Sequence, residues 1–557
     1  MEYLAQVRVI IFHIFILICV FILTCLAQSI PQSYLDGLPF SMPEVQLPTF
    51  PARTISIVDY GAVPDGQTLN TKAFKDAIQT CAKAGGGTVI VPSGVWLTGP
   101  IEFESNINLY LENGAIIMFS KNRDDFALMP YPTPNSKNYQ CANPIYGYGL
   151  ENIAITGKGI IDGSGEVWRP KKKEKYTVNQ WKKIVESGGA VTEDGKMWWP
   201  SDQAMKGEGY LKNLRKEKKD LTKEDFLGVK DFLRSHMVVF YSCKKVLFDG
   251  PTFRNSPKFC VNPIQCEQVV IRNIVVQNEW NAQNGDGIDI GSSHNVFVYN
   301  CIVDVGDDDI CLKPGNVDKE RGWSVACENI VIADCIVYRG HGGFVIGSET
   351  YGGTRNVSVR NCTFIGTDIG LRFKSSRTRG GKTENIYIDG IQMKDIVNEA
   401  ILFDMYYEEG KPEQGSMREK MPITERTPLF QKFHINNVVC NGASHAIFIR
   451  GLPEQFVNGI EFTDITISAK RGVIGVDAEQ LQFKNVRLIV DEGPIFDFDN
   501  MKDITIQRPG FQSSITPFLK VSGKESMEIY LLDTKLSGIS QQIERGSEVR
   551  SDAVIFK

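Results

Sequence analysis

Four short clusters of acidic and basic residues contain the side chains that could do chemistry. They are Asn284-Gly285-Asp286, Gly306-Asp307-Asp308-Asp309, Gly340-His341-Gly342 and Arg372-Phe373-Lys374. Carboxylates that crowd together repel each other, which raises the pKa of at least one and sets a proton donor beside a proton acceptor. Such a pair can cleave a glycosidic bond, because one carboxylic acid protonates the leaving oxygen while another carboxylate activates water or attacks.

Arg372 and Lys374 are two residues apart, so on a strand they share a face. There they would neutralise the acids or bind the carboxylate of an acidic sugar. Each cluster alone is weak evidence, because Asp-Asp-Asp is typical of a solvated turn or a calcium loop and Gly-His-Gly is typical of a surface turn. The clusters become informative only if the fold brings them to one surface.

A repeat through the second half of the chain supplies that fold. Each unit is a short strand with alternating β-branched residues, bounded by Asn, Asp or Gly. The units begin at Glu267, His294, Glu328, Arg355 and Glu384, which are 27, 34, 27 and 29 residues apart. Coils of this length without helical spacing predict an all-β, single-domain parallel β-helix, in which equal positions in successive coils stack about 4.8 Å apart. The four clusters should then converge on one lateral face.

Two features outside the repeat refine this prediction. The apolar residues from Ala73 to Cys81 recur at helical spacing, and we expect an amphipathic helix over Lys72–Ala84, capped by Thr71, to cover the open end of the first coil. Residues 166–233 contain 16 Lys and Arg against 12 Asp and Glu, and four of the seven Trp. We expect a partly helical insertion there, either solvated or forming a wall of a substrate cleft through Trp168, Trp181, Trp198 and Trp199.

Composition and the first residues limit the class of protein. A net charge of −5 and a charged content of 23% argue against general nucleic-acid binding. Residues 1–27 have the pattern of a signal peptide, with an uncleaved anchor or lipidation at Cys25 as alternatives. Residues 28–54 are expected to be a linker or extension before a β-helix over 55–557. The eleven cysteines after residue 27 form no Cys-x-x-Cys, and Cys301, Cys335 and Cys362 are expected to stack as buried thiols.

The ordered set of clusters resembles glycoside hydrolase family 28, the polygalacturonases. That family is marked by Asn-Thr-Asp, Gly/Gln-Asp-Asp, Gly-His-Gly and Arg-Ile-Lys motifs in this order. Asp59-Tyr60-Gly61-Ala62, Val91-Pro92-Ser93-Gly94 and Asn255-Ser256-Pro257 extend the resemblance over roughly residues 55–165 and 234–500. Gly285 and Phe373 depart from the family pattern, and we expect Phe373 to point away from the cleft.

The resemblance implies a right-handed β-helix and a role for each matching residue. Asp307 stands at the general acid, and Asp286 and Asp308 stand at the carboxylates that activate water. His341 stands at the histidine that supports the acid. The implied substrate-binding residues are Arg372, Lys374, Asn284 and Tyr407. Asp309 has no implied role.

The implied reaction is single displacement with inversion, with acid and base about 6.5–9.5 Å apart. It needs no metal or cofactor. Asp307 and Asp308 can both face the cleft only if the backbone turns at Gly306.

The implied function is hydrolysis of α-1,4-galacturonosyl linkages in pectic polysaccharide or oligogalacturonides. Exo action is favoured over endo action because the 166–233 insertion could wall off the cleft. Rhamnogalacturonan hydrolysis, a calcium-dependent pectate lyase and a non-catalytic β-helix remain alternatives. We expect an exported monomer, periplasmic or extracellular, with no nucleic-acid partner and no membrane span after signal cleavage.

Overall fold

The computed structural model describes residues 29–132, 137–315, 325–407, 418–512, 514–536 and 542–557, so the predicted signal peptide lies outside it. The main chain winds into a right-handed parallel β-helix, which confirms the predicted fold class. Each coil contributes strands to three parallel sheets, which we name A, B and C. No helix in these described ranges is long and apolar enough to cross a membrane.

The strands of sheet A include the predicted repeat units. They are Thr54–Ser56, Gly87–Val91, Ile107–Leu111, Glu151–Gly157, Lys244–Asp249, Glu267–Arg272, His294–Tyr299, Cys327–Ala333, Thr354–Arg360, Lys382–Lys394, Leu429–Asn441, Val457–Gln507, Met527–Leu532 and Val554–Phe556. The three longest of these strands continue around the corner into the next sheets.

Sheet B contains Gly94–Thr98, Ala115–Phe119, Ile160–Asp162, Thr252–Arg254, Val275–Gln277, Ile302–Val305, Ile336–Arg339 and Thr363–Ile365. Sheet C contains Ile101–Glu102, Ile145–Tyr148, Val238–Tyr241, Val261–Ile264, Ile288–Gly291, Asp308–Lys313, Gly342–Ile346, Leu371–Lys374, Glu399–Asp404, His445–Arg450, Leu519–Ser522 and Ile543–Arg545. Alternate side chains of all three sheets point inward and form one continuous apolar core.

Two ladders of identical side chains connect the coils, and both come from the repeat. The Asn329 amide donates to Asn295 at 3.1 Å, and the Asn356 amide donates to Asn329 at 3.1 Å. These asparagines have positive φ, near 55°, a conformation that Asn tolerates better than most residues. Cys301, Cys335 and Cys362 are buried and unpaired, as are the other cysteines that the structure describes, in agreement with the predicted stack of thiols.

Helix α1 (Thr71–Lys83) packs its apolar side on the first coil, and Phe74, Ala77, Ile78 and Cys81 are buried there. The predicted helix is therefore present, but Thr71 is not its cap. The N-cap residue is Asn70, and the Asn70 side chain instead accepts from the Val63 N–H at 2.8 Å. The Thr71 hydroxyl accepts from the Gly99 N–H at 2.7 Å, which fixes the helix to the coil.

The 166–233 insertion is partly helical, as predicted. Its helices are α2 (Val178–Glu186), α3 (Asp202–Glu217) and α4 (Lys223–Leu227). Lys171–Lys172, Ala190–Val191 and Met197–Trp199 form a small antiparallel sheet, and Leu128–Pro130 with Tyr139–Cys141 forms another. The short 3₁₀ helices of the chain are Gln32–Tyr34, Ile57–Tyr60, Arg123–Asp125, Gly165–Val167, Lys173–Lys175 and Lys230–Phe232.

Residues 29–53, which we name the strap, lie along the outer face of sheet A. The face beneath them is apolar, because Val270, Phe297 and Val331 point outward and are buried by the strap. The Tyr34 hydroxyl donates to Asp334 at 2.7 Å, and Phe40 lies 6.2 Å from Tyr387 between ring centroids. The segment predicted as a linker is thus packed against several coils.

Candidate active site

The predicted site residues meet at one edge of sheet C, because their strands are stacked in register. Ile288 pairs with Ile310, Ile310 with Phe344, and Phe344 with Leu371. The acidic and histidine residues lie at or just before the first residues of these strands, and the two basic residues lie within the last one. In this way the fold brings together Asp286, Asp307, Asp308, His341, Arg372 and Lys374.

Asp286, Asp307 and Asp308 form a compact acid cluster. One carboxylate oxygen from each lies within 4.8 Å of the others. The chain bends at Gly306 and Asp307 before the strand begins at Asp308, which confirms the predicted turn and lets both neighbours face the cleft. This limit joins the nearest oxygens, whereas the spacing of about 6.5–9.5 Å that we expected for inversion joins whole carboxyl groups, so that spacing stays a prediction.

Three cations surround the buried end of the cluster. Lys374 Nζ lies 2.7 Å from one oxygen of Asp308, and an Arg372 Nη donates to the other at 3.1 Å. Lys313 Nζ lies 3.3 Å from Asp286 and 3.8 Å from Asp308. A metal ion bound between these acids would have to displace ammonium groups that already neutralise them. The cluster is therefore better suited to acid–base chemistry than to holding calcium.

The electrostatic environments of the acids differ. Burial, followed by repulsion from Asp307 and Asp289, raises the pKa of Asp286 well above its usual value. Burial also favours the neutral form of Asp308, but Lys374 and Arg372 outweigh it and lower the pKa of that carboxyl strongly. Burial favours the neutral form of Asp307 most strongly, but the hydrogen bond and electrostatic attraction of His341, together with Lys374, outweigh it and lower the pKa of that carboxyl. Of the three carboxyls of the cluster, that of Asp286 is therefore the one whose environment favours the protonated form.

His341 lies at the open side of the cluster. Its Nδ1 is 3.2 Å from Asp307, and its Nε2 is 3.7 Å from Asp368. The His341 backbone N–H also donates to the Asp307 carbonyl at 2.8 Å. The Asp307 side chain is 14% exposed, whereas those of Asp286 and Asp308 are 3% and 2% exposed. Asp307 is thus the carboxylate that a ligand in the cleft can best reach.

Tyr407 and Asn284 also lie at the site, though Asn284 differs from its predicted role. The Tyr407 ring centroid is 5.0 Å from Lys374 Nζ and 5.9 Å from the Arg372 guanidinium carbon. The Asn284 amide oxygen is occupied, because it accepts from Arg234 at 2.6 Å. The Asn284 backbone N–H donates to Asp307 at 3.2 Å. Asn284 thus holds Asp307 through its backbone, and of its side chain only the amide nitrogen is left to meet a ligand.

Phe373 and Asp309 point inward. Phe373 packs against Phe344, Phe403 and Phe433 in the core, which confirms that it faces away from the cleft. Asp309 is fully buried, and neither of its carboxylate oxygens has a hydrogen-bond partner. Burial and the neighbouring Asp308 raise its pKa well above the usual value. Asp309 thus lies beneath the site in surroundings that favour its neutral form, and it does not face the cleft.

Sequence reasoning missed two residues of the site, Lys313 and Asp289. Besides its contacts with Asp286 and Asp308, Lys313 Nζ lies 3.5 Å from Asp289 and 4.0 Å from Glu349. Burial raises the pKa of Asp289 to about 7, although Lys313 opposes this. The signal was present in the register, because Lys313 pairs with Gly291 and is the last residue of the strand that begins at Asp308.

The insertion reaches the site through Lys175, whereas two of the four predicted tryptophans, Trp168 and Trp198, do not, and the prediction for Trp181 and Trp199 stays a prediction. Lys175 Nζ lies 5.6 Å from the Trp280 ring centroid and within the electrostatic range of Asp307. Trp168 and Trp198 are buried, with 2% and 6% exposure, so the prediction that they stack on a sugar is wrong. Both support the insertion itself: Trp168 packs edge-on against Phe126, and the Trp198 indole N–H donates to the Gly188 carbonyl.

Comparison with known proteins decides the family. The model of glycosyl hydrolases family 28 matches residues 177–487, more than half of the chain. The chain belongs to glycoside hydrolase family 28. A second model, described as rhamnogalacturonase A/epimerase, pectate lyase-like, matches residues 54–213. The family 28 match contains the whole acid cluster and its cations, whereas the second match ends before them. This family 28 chain is a glycoside hydrolase.

Relatives and solved structures place this family 28 member more finely. It is 27% identical to an exo-poly-α-D-galacturonosidase of Dickeya chrysanthemi over 82% of this chain and 74% of the relative. It is 26% identical to a probable polygalacturonase of Vitis vinifera, over 75% of this chain and 74% of the relative. A solved exopolygalacturonase from Thermotoga maritima superposes with a TM-score of 0.64 at 29% identity, covering 85% of this chain and 95% of that one.

Proposed function

We propose that this chain hydrolyses α-1,4-galacturonosyl linkages in pectic polysaccharide or oligogalacturonides, acting from a chain end. The main support for this proposal is the acid cluster on one edge of sheet C, which is bordered by cations. Acids can cleave the glycosidic bond, and cations suit a sugar that bears a carboxylate. The similarity to the Dickeya and Thermotoga enzymes, both named for exo action on polygalacturonate, supports the same substrate class.

In the proposed reaction Asp307 is the general acid. It is the most exposed carboxylate of the cluster and has His341 beside it. Asp286 and Asp308 bind and deprotonate the attacking water, and Lys313 holds both of them. The water oxygen bonds to the anomeric carbon as the glycosidic C–O bond breaks, and the leaving oxygen takes the Asp307 proton. Arg372, Lys374 and Tyr407 border the sugar carboxylate.

The pKa directions of the free site constrain this proposal. Asp307 must carry a proton to act as an acid, yet its pKa is lowered, so turnover requires an acidic pH or a proton transferred within the cluster. Asp286, whose pKa is raised, is the nearest store of that proton. A raised pKa also makes Asp286 the stronger base once the proton has left.

Exo action is supported by the position of the insertion. It leaves the β-helix between Ile160–Asp162 and Val238–Tyr241, just before the coils that bear the acids. Arg169 donates to the Ser256 carbonyl at 2.7 Å and lies 3.5 Å from Glu279, which fixes the insertion against the edge of the site. A wall at one end of the cleft would restrict cleavage to chain ends. Export of a monomer, with residues 1–27 removed, completes the proposal.

The test is release of reducing sugar from polygalacturonate in the presence of a chelator, with products sized by chromatography. Monomeric or dimeric galacturonate released from the start, and lost in Asp307→Asn, would support exo hydrolysis with Asp307 as the acid. A ladder of oligomers would retain the chemistry and reject exo action. Products that absorb in the ultraviolet, or a requirement for calcium, would indicate a lyase and overturn the proposal.

A further inference from the structure

A second group of cations lies on the N-terminal side of the acid cluster, with members on the two coils that precede Asp286. Val238 pairs with Val261, and Val261 pairs with Ile288, so His236 and Phe259 stand directly before Asp286 in the stack. The His236 ring lies 4.4 Å from the Phe259 ring between centroids. Lys258 Nζ lies 5.4 Å and Lys313 Nζ 4.7 Å from the same Phe259 centroid. Arg234 is on the same coil as His236.

Two of these cations have no anionic partner. Within the described ranges, no carboxylate oxygen lies within 4.0 Å of Lys258 Nζ or of the Arg234 guanidinium. Arg234 donates only to neutral oxygens: the carbonyls of Pro257 and Gln283, at 3.0 and 2.8 Å, and the Asn284 amide oxygen. By contrast, Arg372 and Lys374 are already paired with Asp308. The uncompensated positive charge of the cleft is therefore on the N-terminal side.

A buried polar atom points to the same place. His236 Nδ1 is buried without a hydrogen-bond partner. A polar group that loses water without gaining a partner is costly, and a bound water or ligand at this place would remove that cost. Burial, with repulsion from Lys258 and Arg234, lowers the pKa of His236 well below its usual value, so the ring is neutral and adds no charge of its own.

We propose that Lys258, beside the Phe259 ring, and Arg234, which donates to the nearby Pro257 carbonyl, form a second carboxylate-binding subsite for the acidic sugar that neighbours the one at the acid cluster. This deepens the proposed function and rests on it. The subsite requires a free carboxylate on that neighbouring sugar, so methyl esterification there is selected against. Arg372 and Lys374 serve the other side of the scissile bond.

Lys258 is the residue to test, because Arg234 also holds two backbone carbonyls and its loss would disturb the fold. Binding of digalacturonate, and of its two mono-methyl esters, would be measured by calorimetry on the Asp307→Asn protein with and without Lys258→Met. Loss of one charge-assisted contact predicts binding about 10- to 100-fold weaker for the unesterified disaccharide. The loss should persist for one mono-ester and vanish for the other. Lys258→Arg should restore most of the affinity, and Lys158→Met, an exposed lysine at a coil corner, should change nothing.

A second readout follows from the pKa of Lys258, which burial and Arg234 lower to about 8, against Asp286 and Glu349, with Lys313 nearby. The affinity of the protein for digalacturonate should fall as the pH rises through this value, because the ammonium loses its charge. The fall should be absent in Lys258→Met and shifted to higher pH in Lys258→Arg.

Three experimental outcomes distinguish failure of the subsite proposal from failure of the proposed function. Weaker binding with the ester dependence above supports the subsite. Binding that Lys258→Met leaves unchanged, or weakens equally for both mono-esters, overturns the subsite and leaves the function intact. If the wild-type chain releases no sugar from polygalacturonate and the Asp307→Asn protein binds no digalacturonate, both proposals fail together.

Discussion

The imidazole Nδ1 of His341 lies 3.2 Å from a carboxylate oxygen of Asp307, the most exposed acid of the site. This contact is the main influence that lowers the pKa of Asp307 against the opposing effect of burial. The general acid of a glycosidase acts in its protonated form, so the contact sets the highest pH at which the proposed acid can work.

Removal of His341 should therefore move the pH dependence of catalysis. In His341→Ala the pKa of Asp307 rises, and we expect the alkaline limb of the kcat/KM profile to move upward by roughly 1 pH unit. His341→Gln, which can still donate to Asp307, should move the limb less. The matched control is His434→Ala, because His434 pairs with Glu461 at 2.8 Å on sheet A, away from the acids. An unmoved limb in His341→Ala would reject Asp307 as the acid.

The stereochemistry of the product tests the close spacing of the acids. Retaining enzymes use a single carboxylate as the nucleophile, whereas the proposed base is a pair of carboxylates held by Lys313. We expect inversion, with β-galacturonate as the first product in a proton NMR time course. If the α-anomer forms first, a covalent intermediate on Asp286 or Asp308 must replace the activated water.

Lys374 should matter for stability as well as for binding. It is 4% exposed and bonds to the buried Asp308 at 2.7 Å. Breaking a buried ion pair leaves an uncompensated charge, so Lys374→Met should lower the free energy of unfolding by about 3 kcal/mol in a urea titration at pH 7. The lowered pKa of Asp308 stabilises the fold above the unfolded-state pKa of Asp, near 3.9, and this contribution is lost as the pH falls below it.

The difference between Lys374→Met and the wild type should accordingly shrink in acid. The control is Lys72→Met, because Lys72 is exposed in an i, i+4 pair with Asp76 and should contribute less than about 0.5 kcal/mol. Equal effects of the two substitutions at pH 7 would show that the Lys374 pair is not structurally important.

The asparagine ladder predicts a specific order of substitution effects. Asn329 bonds to Asn295 and Asn356 and has a φ of 55°. Asn329→Ala loses both bonds and keeps the unfavourable backbone, so we expect a loss of about 1 to 3 kcal/mol in unfolding free energy. Asn329→Gly should cost less, because glycine adopts positive φ without strain. If Asn329→Gly lowers the unfolding free energy more than Asn329→Ala does, the positive φ is not the reason that asparagine is needed at this position.

The sequence predicted the coils and the order of the site residues because both are local. A strand of alternating residues preceded by Asn and followed by Asp, as in Glu328–Asp334, carries its own turns and repeats at nearly constant length. Its register then places Asp286, Asp308 and Arg372 on one edge. Lys313 was missed because its acidic partners lie on three different coils. No local sequence pattern shows which lysine will meet which acid after folding.

The role of Trp168 and Trp198 was mistaken for a related reason. Tryptophan suits sugar stacking and core packing equally, and only the folded insertion shows that these two are buried. The strap was missed because its apolar residues have no period. The evidence for a covering segment lay instead in sheet A. Val270, Phe297 and Val331 make its strands apolar on both faces, which is typical of strands covered on both sides.

The strap has a consequence for how the β-helix responds to stress. In a stack of repeats each coil contacts only its neighbours, so the ends can unwind while the middle persists. Here the strap, residues 29–53, contacts a residue on each of five successive coils: Gln268, Tyr299, Asp334, Arg360 and Tyr387. These positions belong to the coils whose opposite edges carry Asp286, Asp307, His341 and Arg372. The coils that must hold the acids at fixed separation are thus made to unfold together, so heat or denaturant should abolish the site in a single step.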